Sequence, residues 1–216
     1  MQLKGLKINF LGDSITQSHG AASPQLGFVQ RVGDIYGAIV QNYGIGGTRF
    51  AEQRNKHAGH HADFCDFVLR CDYMEKDADI VFVFGGTNDF GHGDAPFGKL
   101  SDNTSTTFCG AVRKVIHKLK NIYPAATLVF ATPLPRTSEY TPRSDGQGGT
   151  VVLADYNNAI EAIALEEGVH LLKLSDKDNP RLAPFHDYSL LPDGLHPSTE
   201  GHDVLARIIG DYLLGL

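Results

Sequence analysis

The sequence predicts a three-layer α/β/α sandwich built around a five-stranded parallel sheet. Short, unbroken apolar runs alternate with amphipathic helical patterns along the chain. Unbroken apolar runs are typical of strands that are covered on both faces, as in parallel sheets. No linker or internal repeat divides the 216 residues, which suffice for one buried core. We therefore expect a single domain over residues 1–216.

Five segments are predicted as strands. The weakest of them is Ala38–Tyr43, which mixes apolar and polar residues. The other four are strongly apolar and lie at Lys7–Leu11, Ile80–Phe84, Leu128–Ala131 and His170–Leu174.

Helical patterns lie between and after these strands. Residues 107–122 place apolar side chains at helical spacing and are followed by Pro124, which ends the helix. The same pattern recurs at 152–167 and Ser198–Leu214, and a shorter helix is predicted at 26–36. Alternating strands and helices imply right-handed crossovers, and such sheets bind ligands outside the carboxyl ends of their strands.

Polar and glycine-rich motifs follow the predicted strands. The motifs are GDS at 12–14, NYGIGGTR at 42–49, GGTND at 85–89, TPLPR at 132–136 and LPDGLHPS at 191–198. The carboxyl ends of parallel strands meet at one edge of the sheet. We therefore expect a serine, glycines, an asparagine and an Asp-x-x-His pair to converge there.

Each of these residues has a chemical role in acyl transfer. Ser14 is a nucleophile only if a base takes its proton, and His196 can be that base. Asp193 can fix the tautomer of His196 and stabilise its imidazolium form. The backbone N–H of Ser14, a glycine N–H from residues 44–47 and the Asn88 amide can form an oxyanion hole. Metal ions and cofactors are not required for this chemistry.

The residue beside the nucleophile has a different predicted role. Asp13 is adjacent to the serine, but an aspartate at a turn commonly accepts backbone N–H groups. We therefore interpret Asp13 as structural, with its carboxylate holding the turn that carries the serine.

The motifs GDSIT, NYGIGG, GGTND and DGLHPS resemble the four blocks of the SGNH (GDSL-type) hydrolases. They occur in the order of that family and extend from residue 12 to residue 198. The resemblance implies a flavodoxin-like sandwich with strand order 2-1-3-4-5. It also implies esterase, lipase or deacetylase chemistry without a cofactor. The serine does not lie in the G-x-S-x-G turn of α/β-hydrolases.

The resemblance also assigns roles to individual residues. Ser14 matches the family's nucleophile, His196 its base and Asp193 the residue that orients the base. Gly47 matches the block-two glycine whose N–H enters the oxyanion hole, with the neighbouring Gly46 as an alternative. Asn88 matches the block-three asparagine.

Two other functions are compatible with parts of the sequence. An acyltransferase would use the same triad and pass the acyl group to an alcohol instead of water. A flavodoxin-like phospho-receiver would use Asp89, but it needs an acidic pair after the first strand and a lysine after the fifth. The sequence provides only Asp13 at the first of these places, which favours the esterase.

Two polar segments surround the predicted site. Residues 54–67 include His57, His60, His61 and Asp63 in a spacing unlike that of metal sites, so we predict no metal there and interpret the segment as a wall of the substrate pocket. Residues 135–150 are too polar for a lipase lid and are predicted to form a mobile rim. Arg49, Arg136 and Arg143 are candidates for contacts with a polar or anionic substrate. These surroundings favour a short-acyl ester of a small polar or carbohydrate-like alcohol.

Composition excludes several function classes. The net charge of −6 without a basic block argues against nucleic-acid binding. No apolar stretch approaches the roughly 20 residues of a membrane span, and no secretory signal is evident, so we expect a cytoplasmic protein. Three cysteines without a C-x-x-C pair predict reduced thiols. Nothing in the sequence indicates an oligomeric state.

Overall fold

A five-stranded parallel sheet forms the centre of the computed structural model, which describes residues 2–55 and 65–216. Its strand order is β2-β1-β3-β4-β7. A short hairpin of β5 (Arg143–Ser144) and β6 (Thr150–Val151) precedes the fifth strand of the sheet, so the predicted order 2-1-3-4-5 and the flavodoxin-like sandwich are confirmed. The sheet strands are β1 (Lys7–Gly12), β2 (Ile39–Gly44), β3 (Ile80–Phe84), β4 (Thr127–Ala131) and β7 (His170–Leu172).

Helices cover both faces of this sheet. The four predicted helices are present with ends within two residues of those expected, namely α1 (Phe28–Tyr36), α4 (Phe108–Ile122), α5 (Leu153–Glu166) and α7 (Thr199–Leu214). Three short helices were not predicted, because segments of four to six residues show no helical periodicity. These are α2 (Phe67–Arg70), α3 (Thr87–His92) and α6 (Ala183–His186).

The hydrophobic core is divided by the sheet into two clusters. Phe10 packs with α1 and α7 on one face, and the adjacent Leu11 packs with α4 and α5 on the other. The ring of Phe10 meets those of Phe28 and Phe82 at centroid distances of 5.7 and 5.4 Å. All five residues of β3 are buried. Burial on both faces is the reason why the strand sequences are apolar without alternation.

The strands at the sheet edges depart from the predicted pattern. β2 is an outer strand, and Ile39 at its start is 50% exposed, which accounts for its weak apolar signal. β7 ends at Leu172, two residues earlier than predicted. Beyond it, the backbone N–H of Ser175 donates to Thr132 Oγ1 at 3.1 Å, and this side-chain bond replaces strand pairing.

The polar segment at 135–150 contains a hairpin that its composition did not indicate. Arg143–Ser144 (β5) pairs with Thr150–Val151 (β6) in antiparallel fashion. The Asp145 carboxylate closes the turn by accepting N–H groups of Gln147 and Gly149 at 2.7 and 2.9 Å. The rim of the site therefore has local structure of its own.

No helix in the described part of the chain is long and apolar enough to cross a membrane.

Cys71 and Cys109 are buried, and burial raises the pKa of each thiol to about 12.

α7 begins directly after the DGLHP motif and packs against α1. The Ser198 side chain caps the helix by accepting the N–H of Gly201 at 3.1 Å.

Further along α7, Gly210 lies under the ring of Tyr36, whose hydroxyl donates to Asp211 Oδ1 at 2.6 Å. A Cβ atom on Gly210 would lie only 2.0 Å from the Tyr36 ring. The contact between the two helices thus requires glycine at this position.

We expect Gly210→Ala to destabilise the protein by about 1–3 kcal/mol, because the added methyl group displaces the Tyr36 ring. Alanine ordinarily stabilises a helix interior relative to glycine by about 1 kcal/mol, so the expected sign is the reverse of the usual one. Thermal or denaturant unfolding measures the effect. Gly215→Ala is the control, since its nearest neighbour would be at 3.4 Å. An unchanged or raised stability of Gly210→Ala would contradict the packing argument.

Candidate active site

Ser14 lies two residues after the end of β1, and it is 6% exposed. Tight turns follow it, with the N–H of Gln17 donating to Asp13 O and the N–H of His19 to Ser14 O, both at 2.9 Å. The backbone N–H of Ser14 meets no acceptor among the residues that the structure describes. The turn therefore presents both a hydroxyl and an available backbone donor at the carboxyl edge of the sheet.

Ser14, His196 and Asp193 form a continuous hydrogen-bonded chain. Ser14 Oγ lies 2.9 Å from His196 Nε2, and His196 Nδ1 lies 2.6 Å from Asp193 Oδ2. Because an ionised carboxylate only accepts, His196 carries a proton on Nδ1. Nε2 is then free to accept the proton of the serine hydroxyl. This is the arrangement that activates a serine for nucleophilic attack.

The environment of Asp193 keeps its carboxylate ionised. Partial burial by itself would raise the pKa of Asp193. The backbone N–H and ring of His196 and the backbone N–H of Leu195 outweigh burial and lower that pKa to about 2. The two backbone N–H groups donate to Asp193 Oδ1 at 2.9 Å from Leu195 and 2.7 Å from His196.

The loop between Asp193 and His196 depends on a glycine. Gly194 has a φ of +79°, in the left-handed region that favours glycine. A Cβ atom there would lie 2.4 Å from Thr137 Oγ1. The N–H of Thr137 also donates to Gly194 O at 3.0 Å, which ties the loop to the segment after β4.

The carboxylate of Asp13 lies in a very different environment. Its side chain is buried, and Oδ1 accepts the N–H of Ile15 at 3.0 Å. Burial raises the pKa of Asp13 to about 6, against the lowering effects of the Ile15 N–H and the charges of His196 and Arg70. Asp13 thus holds the turn that carries Ser14, while the carboxylate bonded to His196 is that of Asp193.

The glycine-rich turn after β2 passes directly beside Ser14. A Cβ atom on Gly46 would lie 3.6 Å from Ser14 Cβ. The N–H of Gly46 donates to Gln17 Oε1 at 2.7 Å, whereas that of Gly47 meets no acceptor in residues 2–55 or 65–216. Gly47 also has a φ of +76°. Of the two glycines that the sequence left open, Gly47 is the one with an available donor.

Arg70, which the sequence did not single out, joins this turn to the sheet. Its Nη1 donates to Gly12 O at 2.9 Å and to Thr48 Oγ1 at 2.8 Å, and its Nη2 donates to Tyr43 O. The residue is 5% exposed, and burial lowers the pKa of Arg70 to about 10, so the guanidinium stays charged at neutral pH. One side chain therefore bonds to the ends of β1 and β2 and to the glycine-rich turn.

The amide of Asn88 is oriented by a chain of two side chains. Asn88 Nδ2 donates to Thr48 O at 3.1 Å, and Asn88 Oδ1 lies 3.1 Å from His92 Nε2. Arg49 Nη1 lies 2.7 Å from His92 Nδ1. A guanidinium only donates, so His92 accepts at Nδ1 and donates from Nε2 to Asn88 Oδ1. One N–H of the Asn88 amide remains for another acceptor.

Asp89, the next residue on α3, is occupied by backbone bonds. Its two carboxylate oxygens accept the N–H groups of Phe50 and Ala51 at 2.9 and 3.0 Å. The residue is 5% exposed, and burial raises the pKa of Asp89 to about 7. A carboxylate held in this way is not presented for phosphorylation, which argues against the phospho-receiver alternative.

The three arginines predicted to contact substrate, Arg49, Arg136 and Arg143, all contact residues of α3. Arg49 is 4% exposed and bonds to His92, as described above. Arg136 is half-buried, and its Nη1 donates to Thr87 O and Oγ1 at 3.0 and 3.1 Å. Their contact with substrate stays a prediction. The sequence carried no signal for Arg70 or for His92, because the short helix α3, which places His92 beside Asn88, shows no helical periodicity.

Metal ligation finds no support in the part of the chain that the structure describes. Residues 2–55 and 65–216 contain no group of three or more His, Cys, Asp or Glu side chains suited to hold an ion. The members of the histidine-rich segment, namely His57, His60, His61 and Asp63, lie outside the described residues.

Solved structures share this fold over nearly their whole length. One is 28% identical, with a TM-score of 0.82 and coverage of 100% of this chain and 99% of that chain. A protein from Lactobacillus plantarum is 26% identical, with a TM-score of 0.79 and 98% of both chains covered. An acetylxylan esterase from Geobacillus stearothermophilus is 22% identical, with a TM-score of 0.63 and coverage of 97% and 94%. No curated protein matches the sequence.

The family comparison covers all of the motifs described above. The model of the GDSL-like lipase/acylhydrolase family matches residues 10–204, which include Ser14, Asn88, Asp193 and His196. The protein therefore belongs to the GDSL-like lipase/acylhydrolase family and is a carboxylic ester hydrolase.

Proposed function

We propose that the protein is a serine esterase in which Ser14, His196 and Asp193 form the catalytic triad. The observation that carries this proposal is the hydrogen-bonded chain from Ser14 Oγ through the His196 ring to Asp193. His196 Nε2 takes the hydroxyl proton while Ser14 Oγ attacks the ester carbonyl carbon. His196 then gives this proton to the departing alcohol, which leaves an acyl group on Ser14.

Hydrolysis of the acyl-enzyme uses the same residues in the second half of the reaction. His196 Nε2 removes a proton from water, whose oxygen attacks the acyl carbon. The proton returns to Ser14 Oγ as the carboxylic acid leaves. In both halves the ionised Asp193 stabilises the imidazolium form of His196, and its low pKa keeps it ionised throughout.

Three donors are suited to stabilise the oxyanion of the tetrahedral intermediates. They are the backbone N–H groups of Ser14 and Gly47 and the remaining N–H of the Asn88 amide. Each donor of this kind contributes about 3–4 kcal/mol to transition-state stabilisation. The bonds from Arg49 through His92 to Asn88 Oδ1 support this assignment, because they hold the amide with its nitrogen toward Thr48 O.

The surroundings of the triad favour a short acyl group on a small polar or carbohydrate-like alcohol. Gln17 and His19 are exposed beside Ser14, and the ring of His19 lies 4.8 Å from that of His196. Such polar surroundings suit a hydroxyl-rich alcohol better than a long acyl chain. The acetylxylan esterase that shares the fold is named for substrates of this class.

We also propose that residues 1–216 act as one domain. Both core clusters pack on the same sheet, and residues from both ends of the chain, Ser14 and His196, form the triad.

Replacing the nucleophile tests the central assignment. We expect Ser14→Ala to abolish hydrolysis of p-nitrophenyl acetate, since no residue is left to carry the acyl group. A fluorophosphonate probe should label the wild-type protein at Ser14, as read by peptide mass spectrometry. Ser189→Ala is the control, because Ser189 is exposed and its hydroxyl bonds to Pro184 O, outside the proposed triad. Turnover by Ser14→Ala equal to that of the wild type would refute the proposal.

The acid of the triad is tested by Asp193→Asn. We expect kcat to fall by about 10³–10⁴-fold, because an amide no longer fixes the Nδ1–H tautomer of His196. The pKa of Asp193 in the folded protein is about 2, below its ordinary value of 3.8. The stability that its ionised form contributes is therefore lost only as pH falls from about 4 toward 2, where the carboxylate takes up a proton. Any decline of wild-type kcat/KM above pH 4 therefore has another origin.

The matched control for this variant is Asp187→Asn, an exposed turn aspartate whose Oδ1 accepts the N–H of Ser189 at 2.9 Å. It should leave kcat unchanged. If Asp193→Asn retains more than about a tenth of the wild-type kcat, Asp193 does not orient His196 as proposed.

The orientation of Asn88 is tested through His92. We expect His92→Ala to lower kcat by about 10–100-fold with little change in KM, since the oxyanion forms only after substrate has bound. Asn88→Ala should lower kcat further. His170→Ala is the control, because His170 lies at the start of β7, at the opposite edge of the sheet. A raised KM at unchanged kcat would assign His92 to substrate binding instead.

A further inference from the structure

Two arginines converge on one aromatic ring beside the proposed site. The guanidinium carbons of Arg136 and Arg143 lie 5.6 and 5.5 Å from the ring centroid of Phe90. Phe90 is buried on α3, two residues after Asn88. The two cations therefore share a support on the helix that carries a proposed oxyanion donor.

Neither of these arginines pairs with a carboxylate in the described part of the chain. Four other arginines do so at 3.0 Å or less: Arg31, Arg113, Arg181 and Arg207. Arg70, which also bonds to no carboxylate among the described residues, instead donates to the backbone carbonyls of Gly12 and Tyr43. Arg136 and Arg143 therefore hold positive charge beside the site without a carboxylate partner in the described part of the chain.

The hydrogen bonds of the pair leave donors available. Arg136 uses Nη1 for Thr87 and donates from Nε to Ser138 Oγ at 3.0 Å. Its Nη2 has no partner among the described residues. The guanidinium of Arg143 makes no hydrogen bond to them, and its Nε is buried without an acceptor. The site therefore combines two positive charges with unsatisfied N–H groups.

The positive charges of Arg136 and Arg143 oppose each other. Burial lowers the pKa of Arg136, and the charge of Arg143 lowers it further, while Asp13 and Asp193 act in the opposite direction. Like charges held close together without a counterion repel each other, and a bound anion removes that repulsion. Titratable side chains whose pKa values are shifted by burial and by neighbouring charges cluster at functional sites.

The position of Arg136 indicates that the ligand of the two arginines is the substrate of the proposed reaction. Arg136 bonds to Thr87, the residue before Asn88. The next residue, Thr137, donates its N–H to Gly194 O in the loop between Asp193 and His196. Arg136 thus lies between the proposed oxyanion donor and the loop of the proposed base, where it borders the site on the side of the β5-β6 hairpin.

We infer that Arg136 and Arg143 bind a carboxylate on the alcohol portion of the ester, so that the preferred substrates are acylated acidic sugars or similar hydroxy acids. This inference rests on the proposed esterase function. A guanidinium matches the planar carboxylate through paired N–H donors. The carboxylates of Asp13 and Asp193 and the net charge of −6 favour a singly charged group over a phosphate dianion.

Two acetyl esters that differ only in this group test the inference: an O-acetylated methyl glucuronide and the matching O-acetylated methyl glucoside. We expect the wild-type kcat/KM to be roughly tenfold higher for the glucuronide, which corresponds to one or two charge-assisted hydrogen bonds. Raising the salt concentration should reduce this preference, because exposed ionic interactions are screened.

Substitution of the arginines should remove the preference. Arg143→Gln is the principal variant, because the Arg143 side chain makes no hydrogen bond to residues 2–55 or 65–216 that the fold would lose. Arg136→Lys keeps the charge but loses the paired donors, and it should reduce the preference in part. Arg181→Gln is the control, since this arginine pairs with Asp211 instead, and it should leave both kcat/KM values unchanged.

A direct binding measurement separates the two proposals. Calorimetry with Ser14→Ala protein and the unacetylated methyl glucuronide or methyl glucoside reports on the arginine pair without catalysis. Tighter binding of the glucuronide that is lost in Ser14→Ala/Arg143→Gln supports the inference even if wild-type esterase activity is absent, which would contradict only the proposed function. Equal binding of both sugars, or an equal preference in wild type and Arg143→Gln, overturns the inference.

Discussion

The parallel alignment of the five strands is the constraint on which the site depends, because it brings every carboxyl end to one edge of the sheet. Ser14 follows β1, the glycine-rich turn follows β2 and Asn88 follows β3. His196 and Asp193 reach the same edge through the loop before α7. The bond between Ser14 and His196 joins residues 182 positions apart, which the fold brings together at this end of the sheet.

Buried polar contacts hold this edge in place. Backbone groups beyond the last strand pair cannot bond to a neighbouring strand, and leaving them unsatisfied is costly. Arg70 satisfies the carbonyls of Gly12 and Tyr43, and Asp89 satisfies the N–H groups of Phe50 and Ala51. These charged side chains are buried because they bond to the backbone, and their bonds fix the turns that present the proposed oxyanion donors.

Two aspartates near the triad differ in pKa because their surroundings differ. Burial raises the pKa of Asp13 to about 6. The backbone N–H groups of Leu195 and His196, together with the His196 ring, lower the pKa of Asp193 to about 2. The sequence neighbour of the nucleophile therefore supports the turn, and the distant aspartate is the one suited to stabilise an imidazolium. Proximity in sequence is a poor guide to the pKa of a carboxyl group, since burial and hydrogen bonds together set it.

The sequence by itself predicted the layers and, through the resemblance of its motifs to a known family, the strand order and the proposed triad. Buried parallel strands must be apolar throughout, and the chemistry demands particular residues at their ends, so both leave local signals. Only the tertiary structure decided that Gly47 rather than Gly46 has an available N–H, since this depends on the Gln17 side chain. It alone revealed Arg70, the bonds from Arg49 through His92 to Asn88, and the two arginines that contact the ring of Phe90. These contacts join residues from different elements, so their physical cause is packing, which no local pattern records.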